Sequence, residues 1–552
     1  MTAGDIKAGE LRVAIIGAGP RGLGAAEALI ERAAARSQKV SVAFFDPSEP
    51  AGAGPNFDPR QSAFCLLNTP LHAVDLRRSG RAGEGFAAFD EWLPPESRDP
   101  DRYPARAELG AYLADRFAAL SSTPPPGIRV THAAKRVETL EPDGPGWRLR
   151  TACGFVDRFD EILLAPGQPE TRPDPQIARW TAHARSTGAT LMPAYPDRDL
   201  LEAAAGWTER TVAIRGLGLT LFDVLRILTL GLGGRFGEKG YIASGREPAR
   251  ILPFSRDGLP PAPKPATQTL DRAFEPTLAE TAAFEHAFGE AVSCEPDRAL
   301  RLVCEAIVAP ASRILRDSGG GSTASQVQHW LARERETPGA QETREARQVL
   351  RHAIAMAEGA APPSVGYAIG QVWRKWQNAL RRGFNPVAIA SETASALIDF
   401  DEGLKRFSYG PPVGSVRELL ALIEAGLVDL RAAEDPDIQL VGEGWRLVEG
   451  GDQATAQVMI DAVLPSPALE TVADPLLGSL RDAGRLCPVE DGLGAHTRSD
   501  ALAIGRDGRA QAGLGLLGRL ALGTVIAVDS IHDCFGEARI RWAEGVLRRA
   551  RS

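Results

Sequence analysis

A glycine-rich turn near the start of the chain has the spacing of a phosphate-binding motif. Gly17, Gly19 and Gly22 form a G-x-G-x-x-G arrangement, with Pro20 and Arg21 before the third glycine. The first glycine of such a turn permits the tight bend, the second lets the backbone approach a pyrophosphate, and the third allows close helix–strand packing. We therefore predict that these five residues bind a dinucleotide, whose phosphates would meet the free N–H groups of the next helix.

The segments around this turn are those that the motif requires. Residues 11–16 are nearly all apolar, as expected of a strand buried on both faces, and residues 23–36 have the composition of a helix. A second apolar segment, 40–45, ends at Asp46, where an acid can accept hydrogen bonds from ribose hydroxyls. The order predicts a β-α-β dinucleotide unit, and the alternative is a glycine-rich turn in an unrelated α/β fold.

A second, incomplete version of the motif begins at Gly216. Gly216 and Gly218 follow an apolar segment and precede Thr220 and an amphipathic stretch, but Leu221 occupies the position of the third glycine. We predict a second nucleotide site with Gly216, Gly218 and Thr220 as binding residues, and the alternative is an ordinary β-α turn.

Two nucleotide units in one chain predict a flavoprotein that is reduced by a second, exchanging cofactor. The N-terminal unit would hold FAD, and the second unit would receive NADPH or NADH. Arg246 suits a 2′-phosphate, whereas the adjacent Glu247 suits a free ribose hydroxyl. Arg256 and Lys264 are secondary candidates for the same role.

Composition excludes several other classes of protein. The chain has 552 residues and a net charge of −8, so the electrostatic footprint of a nucleic-acid binder is missing. It has no apolar run of about 20 residues and no signal-peptide pattern at its start. The six cysteines form no C-x-x-C pair, which argues against a disulfide reductase, and the eight histidines are scattered, which argues against a metal site. We expect a cytoplasmic protein that binds neither membrane nor nucleic acid; its oligomeric state is left open.

The predicted fold is α/β, with two Rossmann-like dinucleotide-binding domains and an additional helical insertion. A discontinuous FAD-binding domain would begin with residues 1–205, and residues 206–267 would begin an inserted NAD(P)-binding domain. Residues 268–430 are predicted to be a helical insertion that selects the substrate. Residues 431–552 would complete both nucleotide domains.

Three short segments resemble the flavoproteins with two dinucleotide domains, a group that includes flavin monooxygenases and N-hydroxylating enzymes. They are the first glycine turn, the strand end Leu163-Leu164-Ala165-Pro166-Gly167, and Gly216-x-Gly218. Pro166 departs from the Ala-Thr-Gly common in those families. Further segments resemble, more narrowly, a bacterial FAD/NAD(P)-binding family described as urate-hydroxylase-like, namely 245–248, 253–260 and 518–524.

The resemblance assigns further cofactor-binding residues. It places Gly167 at the end of a strand beside the cofactor, and Asn68 beside the flavin ring or ribityl chain, where an Asx turn before Pro70 is the alternative. Arg106 would bind phosphate or a substrate carboxylate, unless it is a solvated surface residue.

A C-terminal contact with FAD also follows from the resemblance. Gly523, Thr524 and Asp529 would lie at a helix N-terminus that faces the pyrimidine edge of the flavin. The alternative for Asp529 is a helix-capping or surface acid.

These features together predict an FAD-dependent, NAD(P)H-consuming oxidoreductase, favouring a monooxygenase. It would hydroxylate a small polar nitrogen-containing substrate, an amine, amino acid or purine, with O₂ through a flavin hydroperoxide. The alternatives are a flavin reductase or dehydrogenase and a non-catalytic FAD-binding protein. No catalytic acid or base is assigned. Trp373 and Trp376, three residues apart, are predicted to pack in a core rather than line a cavity.

Overall fold

Two sheets, each built from strands that are far apart in the chain, form the frame of the molecule; both are parallel except for the edge strand β17 of the first. The computed structural model describes residues 10–78, 86–321 and 323–551. Its strands are β1 (Leu11–Ile16), β2 (Val40–Phe45), β3 (Ile128–Ala133), β4 (Val137–Asp143), β5 (Gly146–Thr151), β6 (Gly154–Phe159), β7 (Glu161–Leu164), β8 (Thr190–Pro193), β9 (Thr211–Arg215), β10 (Arg235–Gly237), β11 (Gly240–Ile242), β12 (Arg250–Phe254), β13 (Asp437–Val441), β14 (Gly444–Glu449), β15 (Asp452–Ala456), β16 (Val458–Asp461), β17 (Leu502–Ile504) and β18 (Ala510–Leu516).

Helices cover the sheets and form a separate layer in the second half of the chain. They are α1 (Pro20–Ala35), α2 (Phe89–Trp92), α3 (Arg106–Ser122), α4 (Pro175–Thr187), α5 (Asp197–Ala204), α6 (Leu219–Leu228), α7 (Gln268–Arg272), α8 (Leu278–Ala291), α9 (Pro296–Asp317), α10 (Ala324–Glu336), α11 (Ala346–Ala357), α12 (Val365–Lys375), α13 (Gln377–Phe384), α14 (Ser391–Ser408), α15 (Val413–Glu424), α16 (Pro475–Asp482), α17 (Ile531–Cys534) and α18 (Glu537–Arg549).

The first sheet has six strands in the order β17-β18-β7-β1-β2-β3. Strand β1 lies at its centre, parallel to β2 and β7, and Val13, Ala14 and Ile15 are fully buried. This burial on both faces explains why the strand is apolar at every position except Arg12. Strand β18 pairs in parallel with β7, and α18 packs on α1, so the C-terminal segment completes the N-terminal domain. The predicted discontinuous α/β domain is confirmed.

The second sheet has four parallel strands in the order β12-β9-β16-β8. Strand β9 precedes the second glycine turn and lies between β12 and β16. Strand β8 comes before residue 206 and β16 comes after the helical insertion, so this sheet extends beyond both ends of the predicted range 206–267. The predicted second Rossmann-like unit is confirmed. Antiparallel additions decorate both sheets: β4-β5-β6, β13-β14-β15 and the hairpin β10-β11.

The helices α7 to α15 form the predicted insertion and enclose their own apolar core. The ring of Trp376 stacks on Phe284 at 4.2 Å, and the indole Nε1 of Trp373 donates to Asp401 at 2.7 Å. Both tryptophans are almost fully buried, which confirms that they pack in a core. The C-terminal segment reaches this core through Ile526, so the insertion is anchored to the first domain.

In the part of the chain that the structure describes, none of the helices combines the length and apolar character needed to cross a membrane.

Candidate cofactor and substrate site

The first glycine turn has the close backbone packing that the motif predicts. Gly17 has φ +107°, and a Cβ on it would lie 2.2 Å from the carbonyl oxygen of Ala165. A Cβ on Gly22 would lie 2.1 Å from the carbonyl oxygen of Gly17. Helix α1 then starts after Gly19 with Pro20 in its first turn and no side chain capping its N-terminus. The uncapped end leaves first-turn N–H groups for a phosphate, so the turn fits a dinucleotide.

Asp46 and a neighbouring loop hold this turn in place. The two carboxylate oxygens of Asp46 accept hydrogen bonds from the main-chain N–H of Ala18 and Ser48, each at 2.8 Å. The Gly52 N–H donates to the Ala18 carbonyl at 2.6 Å. Each carboxylate oxygen retains a second lone pair, so the predicted ribose contact of Asp46 stays compatible with these bonds.

Arg21 is committed to a protein partner. Its guanidinium donates to Asp533 at 2.7 Å and to the Val528 carbonyl at 3.1 Å. These bonds connect the start of α1 to the segment that precedes α18. The Arg21 guanidinium therefore joins α1 to the C-terminal segment, and the predicted contact of Arg21 with a cofactor stays a prediction.

The second glycine turn opens onto a cavity. Gly216 has φ +114°, and a Cβ on Gly218 would have no atom within 4 Å. Both glycines and Thr220 line a cavity of about 1520 Å³. Helix α6 starts after Gly218 without a side-chain cap, and fully buried Leu221 replaces the third glycine. The turn therefore fits a dinucleotide that enters from the cavity, and the apolar Leu221 provides the helix–sheet packing.

This cavity is strongly positive, although the chain carries net negative charge. Sixteen arginine and lysine side chains line it, against eight aspartate and glutamate side chains. The helical insertion alone contributes seven of the cations and three of the carboxylates, namely Arg272, Arg374, Lys375, Arg381, Arg382, Lys405 and Arg406 against Asp271, Glu275 and Glu402. Such a lining favours an anionic occupant.

The insertion residues that line the cavity form its cationic wall. Asp271 lies at the centre of a cluster of charged residues on this wall. Arg374 and Lys375 both form ion pairs with its carboxylate, and the Nε2 of His72 lies 3.9 Å from it. Burial alone raises the pKa of Asp271, but His72, Arg374 and Lys375 outweigh it and hold the pKa well below its ordinary value. Lys375 also pairs with Glu275 at 2.7 Å, so Asp271 and Glu275 together balance Arg374 and Lys375.

Lys264 reaches the same cavity from the proline-rich connector before α7. Its side chain is 7% exposed, and the Nζ donates to the main-chain carbonyl of Asn68. Burial and the nearby positive charge of Arg374 lower the pKa of Lys264 to about 7. Within the described residues the Nζ forms no ion pair within 4.0 Å, so this lysine is unusual in being buried without a carboxylate partner.

Asn68 lines the cavity, and its predicted contact with the flavin stays a prediction. Its side-chain Oδ1 has only a long contact of 3.5 Å from the Thr69 hydroxyl, and its main-chain carbonyl accepts from Lys264. The amide is therefore free to contact an occupant. Gly167 lies at the predicted strand end with φ +65°, and a Cβ on it would have no atom within 4 Å.

Arg106 lines the cavity too, but its charge is already paired. Its Nη2 lies 2.6 Å from the Oδ2 of Asp223, and its guanidinium lies 5.4 Å from the centre of the Tyr195 ring. Burial alone lowers the pKa of Arg106, but Asp223 and Tyr195 outweigh it and raise the pKa above its ordinary value. Because Asp223 belongs to α6, Arg106 links the first domain to the second glycine unit. Arg106 is therefore not a solvated surface residue, and its predicted binding of a phosphate or a substrate carboxylate stays a prediction.

The C-terminal residues differ most from the prediction. The chain around Gly523 and Thr524 forms a turn, and the next helix, α17, begins only at Ile531, so the expected helix N-terminus is absent there. The Thr524 hydroxyl accepts from the Thr497 N–H at 3.1 Å. Asp529 pairs with Arg519 at 2.6 Å and Lys405 at 3.0 Å. Although burial raises the pKa of Asp529, these two cations lower it to about 2.

Arg246 is exposed and lies away from the cavity. Arg246 follows the hairpin β10-β11, and the strand parallel to β9 is the later β12. Arg246 precedes β12 and therefore lies toward the amino-terminal edge of the sheet. The carboxylate of Glu247 accepts from the Tyr241 hydroxyl and from the N–H groups of its own turn, which commits it to holding that turn.

Sequence reasoning missed the cationic wall. Arg374, Lys375 and Arg381 appear in the sequence as basic residues of a helical stretch, which is usually a solvated surface. Their spacing of about two helical turns between Arg374 and Arg381 is a weak signal for one shared face. No group of three or more potential metal ligands occurs among the described residues.

The fold and the two glycine turns define a flavoprotein with two dinucleotide-binding units. Residues 14–169 match the family described as FAD-NAD(P)-binding. The chain is 29% identical to an L-aspartate N-monooxygenase (nitrosuccinate-forming) from Streptomyces davaonensis, over 86% of this chain and 85% of that protein. It is 28% identical to the nitrosuccinic acid synthase of Aspergillus oryzae, over 86% and 82% respectively.

The overall fold is similar to that of a solved flavoenzyme. The ornithine hydroxylase of Pseudomonas aeruginosa in its reduced form aligns with a TM-score of 0.51 and 15% identity, covering 98% of this chain and 99% of that one. The predicted relation to FAD/NAD(P)-binding flavoproteins is confirmed, and FAD and NAD(P)H are the cofactors.

Proposed function

We propose that this protein is an FAD- and NAD(P)H-dependent monooxygenase that hydroxylates the amino nitrogen of an acidic amino acid, with L-aspartate as its substrate. The predicted class, a flavin-dependent monooxygenase, is confirmed by the curated relatives. Both of these relatives carry names that refer to aspartate or to its nitro product. The observation that carries the choice of substrate here is the cationic wall of the helical insertion.

The wall discriminates between acidic and basic amino acids by charge. Seven cations and three carboxylates of the insertion line the cavity. A substrate with a second ammonium group, such as ornithine, would meet like charge there, whereas a dicarboxylate would be attracted. At a separation of 4 Å and an effective dielectric constant of 20, one charge pair contributes about 4 kcal/mol before desolvation. The excess of cations therefore favours aspartate over ornithine.

Arg381 is the best placed ligand for a substrate carboxylate. Its guanidinium lines the cavity and is 11% exposed. It donates to the Ala527 carbonyl and to Asn378, and the nearest carboxylate oxygen, on Asp533, is 4.0 Å away. A guanidinium held by neutral acceptors keeps its full charge for an anion and binds a carboxylate with fixed orientation. Arg374 and Lys375, which are paired with Asp271 and Glu275, lie on the same wall and can contribute hydrogen-bond donors to the second carboxylate.

Lys264 is the candidate for handling the proton of the substrate amine. Hydroxylation at nitrogen requires a free lone pair, so the substrate ammonium must lose a proton. The Nζ of Lys264 is held by the Asn68 carbonyl, and its pKa of about 7 leaves a large fraction uncharged near neutral pH. A neutral amine in this position can accept that proton at Nζ.

The rest of the chemistry comes from the cofactors. When bound and reduced by NAD(P)H, FAD activates O₂, so that one oxygen atom enters the substrate and the other leaves as water. The chain's part is to orient the amine, to supply positive charge for the carboxylates and to exclude water from the cavity.

The proposal is tested with the purified, yellow protein. NADPH oxidation and O₂ uptake are measured with L-aspartate, L-ornithine, urate and no substrate, at equal concentrations. We expect L-aspartate to stimulate both rates together and to yield a hydroxylated or nitro product by mass spectrometry. Stimulation by ornithine or urate but not by aspartate would contradict the proposal. NADPH oxidation that only another electron acceptor stimulates would indicate a reductase.

A further inference from the structure

The carboxyl-terminal edge of β12 adjoins the second glycine turn. Strand β12 runs parallel to β9 in a register that pairs Phe254 with Arg215, the residue before Gly216. The Gly216 N–H donates to the Phe254 carbonyl at 2.8 Å, which joins the two strand ends directly. In a β-α-β unit the adenosine ribose lies over the end of the second strand. Here that strand is β12, so residues 255–257 are those that face the ribose.

The side chains of Ser255 and Asp257 form a hydrogen bond with each other. The Ser255 hydroxyl donates to the Oδ1 of Asp257 at 2.7 Å, and the Oδ2 of Asp257 lies 3.9 Å from Arg406. An acid at this edge ordinarily favours the free ribose hydroxyl of NADH. In this chain its charge is partly balanced by Arg406, which also lines the cavity. The edge as a whole is therefore not selective for NADH.

Arg256 lies between these residues and is available to a ligand. It lines the cavity, and within the described ranges its side chain forms neither an ion pair nor a hydrogen bond. Its backbone is well anchored, because the Ser255 N–H donates to the Ala433 carbonyl at 2.9 Å. A guanidinium on a fixed backbone can bind a phosphate through two parallel hydrogen bonds.

We propose that Arg256 binds the 2′-phosphate of NADPH and makes this chain select NADPH over NADH. The inference rests on the NAD(P)H site of the proposed function, but not on the identity of the substrate. It also places the choice between NADPH and NADH at the carboxyl-terminal edge of the sheet, whereas Arg246 lies toward the amino-terminal edge.

The test uses nucleotide binding, which needs neither turnover nor substrate. Affinities of the FAD-loaded protein for 2′,5′-ADP and 5′-AMP, which differ by the 2′-phosphate, are measured by calorimetry. The wild type is compared with Arg256→Gln and with Arg246→Gln as the matched control. We expect the wild type to prefer 2′,5′-ADP and Arg256→Gln to lose about ten- to hundred-fold of that preference. Arg246→Gln should retain it.

Three outcomes would overturn the inference: equal binding of both nucleotides by the wild type, an undiminished preference in Arg256→Gln, or loss of the preference in Arg246→Gln. Flavin content and the melting temperature show that each variant is folded. Should Arg256→Gln fail to fold, Arg256→Lys keeps the charge but not the paired hydrogen bonds, and we expect it to lose part of the preference.

Flavin reduction by NADPH and NADH without substrate gives a second reading. If Arg256→Gln equalises the two reduction rates while aspartate stimulates nothing, the proposed substrate is wrong and the coenzyme inference stands.

Discussion

The two glycine turns of this protein follow the same motif but differ in how tightly they are packed: a Cβ would lie 2.2 Å from the nearest atom at Gly17 and 3.2 Å from it at the equivalent Gly216. At the first, Gly17 and Gly22 leave no space for a Cβ, and Asp46 ties the turn to its surroundings. At the second, Gly218 faces open space on the wall of a large cavity, and a leucine replaces the third glycine. The first turn is built into the core of its domain, whereas the second is accessible. This difference suits a resident FAD and an exchanging NAD(P)H.

The difference between the two turns is tested most strongly by adding a methyl group at each of them; this test has the largest expected effect. In Gly22→Ala the Cβ would lie 2.1 Å from a backbone oxygen, which neither side can relieve cheaply. We expect the purified variant to be colourless or insoluble. Gly218→Ala, whose Cβ meets no atom within 4 Å, is the control and should keep its flavin. Flavin absorbance per protein is the measurement, and a fully yellow Gly22→Ala would contradict the account.

The next largest effect is expected on stability, from the ion pair of Arg106 with Asp223 that joins the first domain to the second glycine unit. Arg106 pairs with Asp223, whose side chain is 5% exposed, so Arg106→Gln leaves a buried carboxylate without its cation. Breaking such a pair costs about 3 kcal/mol. We expect a melting temperature lower by several degrees, measured by calorimetry or circular dichroism. The double variant Arg106→Gln/Asp223→Asn should recover part of the loss. An unchanged melting temperature in the single variant would show that the junction is not held by this pair.

Two neighbouring arginines on α13 allow a test of the cationic wall as the binding site of the substrate carboxylate. Arg381→Gln removes a buried guanidinium that is held by neutral acceptors, and we expect the KM for L-aspartate to rise roughly ten-fold or more. Arg382→Gln is the control, because Arg382 is half exposed and pairs with Glu285. The rate of flavin reduction by NADPH should change in neither variant. Equal effects of the two substitutions on KM would contradict the assignment of Arg381.

The smallest predicted effect concerns stability and pH. Burial lowers the pKa of Lys264 to about 7, below its value in the unfolded chain. Between pH 7 and 10 the unfolded state therefore binds more protons than the folded state, and stability from this group rises with pH. Lys264→Met should remove that rise. Melting temperatures of both proteins at pH 7 and 9 test this, and parallel changes in the two proteins would contradict it.

The sequence predicted those features that depend on neighbouring residues. The glycines at 17, 19 and 22 and the apolar strand before them specify the first unit locally, and the structure has the packing that they imply. Arg246 was misplaced because a hairpin intervenes before the strand that pairs with β9, and strand pairing is a long-range property. The cationic wall could not be found for the same reason, since Arg272, Arg381 and Arg406 line one cavity only in the folded chain.

The resemblance places a helix N-terminus at Gly523 and Thr524, whereas in the structure the helix begins at Ile531. In the structure, Asp529 is an acceptor for Arg519 and Lys405, and the helix begins later. The partners of Asp529 lie ten and more than a hundred positions away in the sequence, so no local sequence pattern could predict these ion pairs. The resemblance to known flavoproteins thus identified the cofactors, while the charges that we propose select the substrate required the tertiary structure.

The most direct test of the account is a competition between two amino acids in one reaction. The protein is given NADPH, ¹⁸O₂ and equal amounts of L-aspartate and L-ornithine, and the products are analysed by mass spectrometry. The account predicts ¹⁸O bound to the nitrogen of an aspartate-derived product and unlabelled, unconverted ornithine. Labelled hydroxyornithine with unreacted aspartate would contradict the central claim that the cationic wall selects an acidic amino acid.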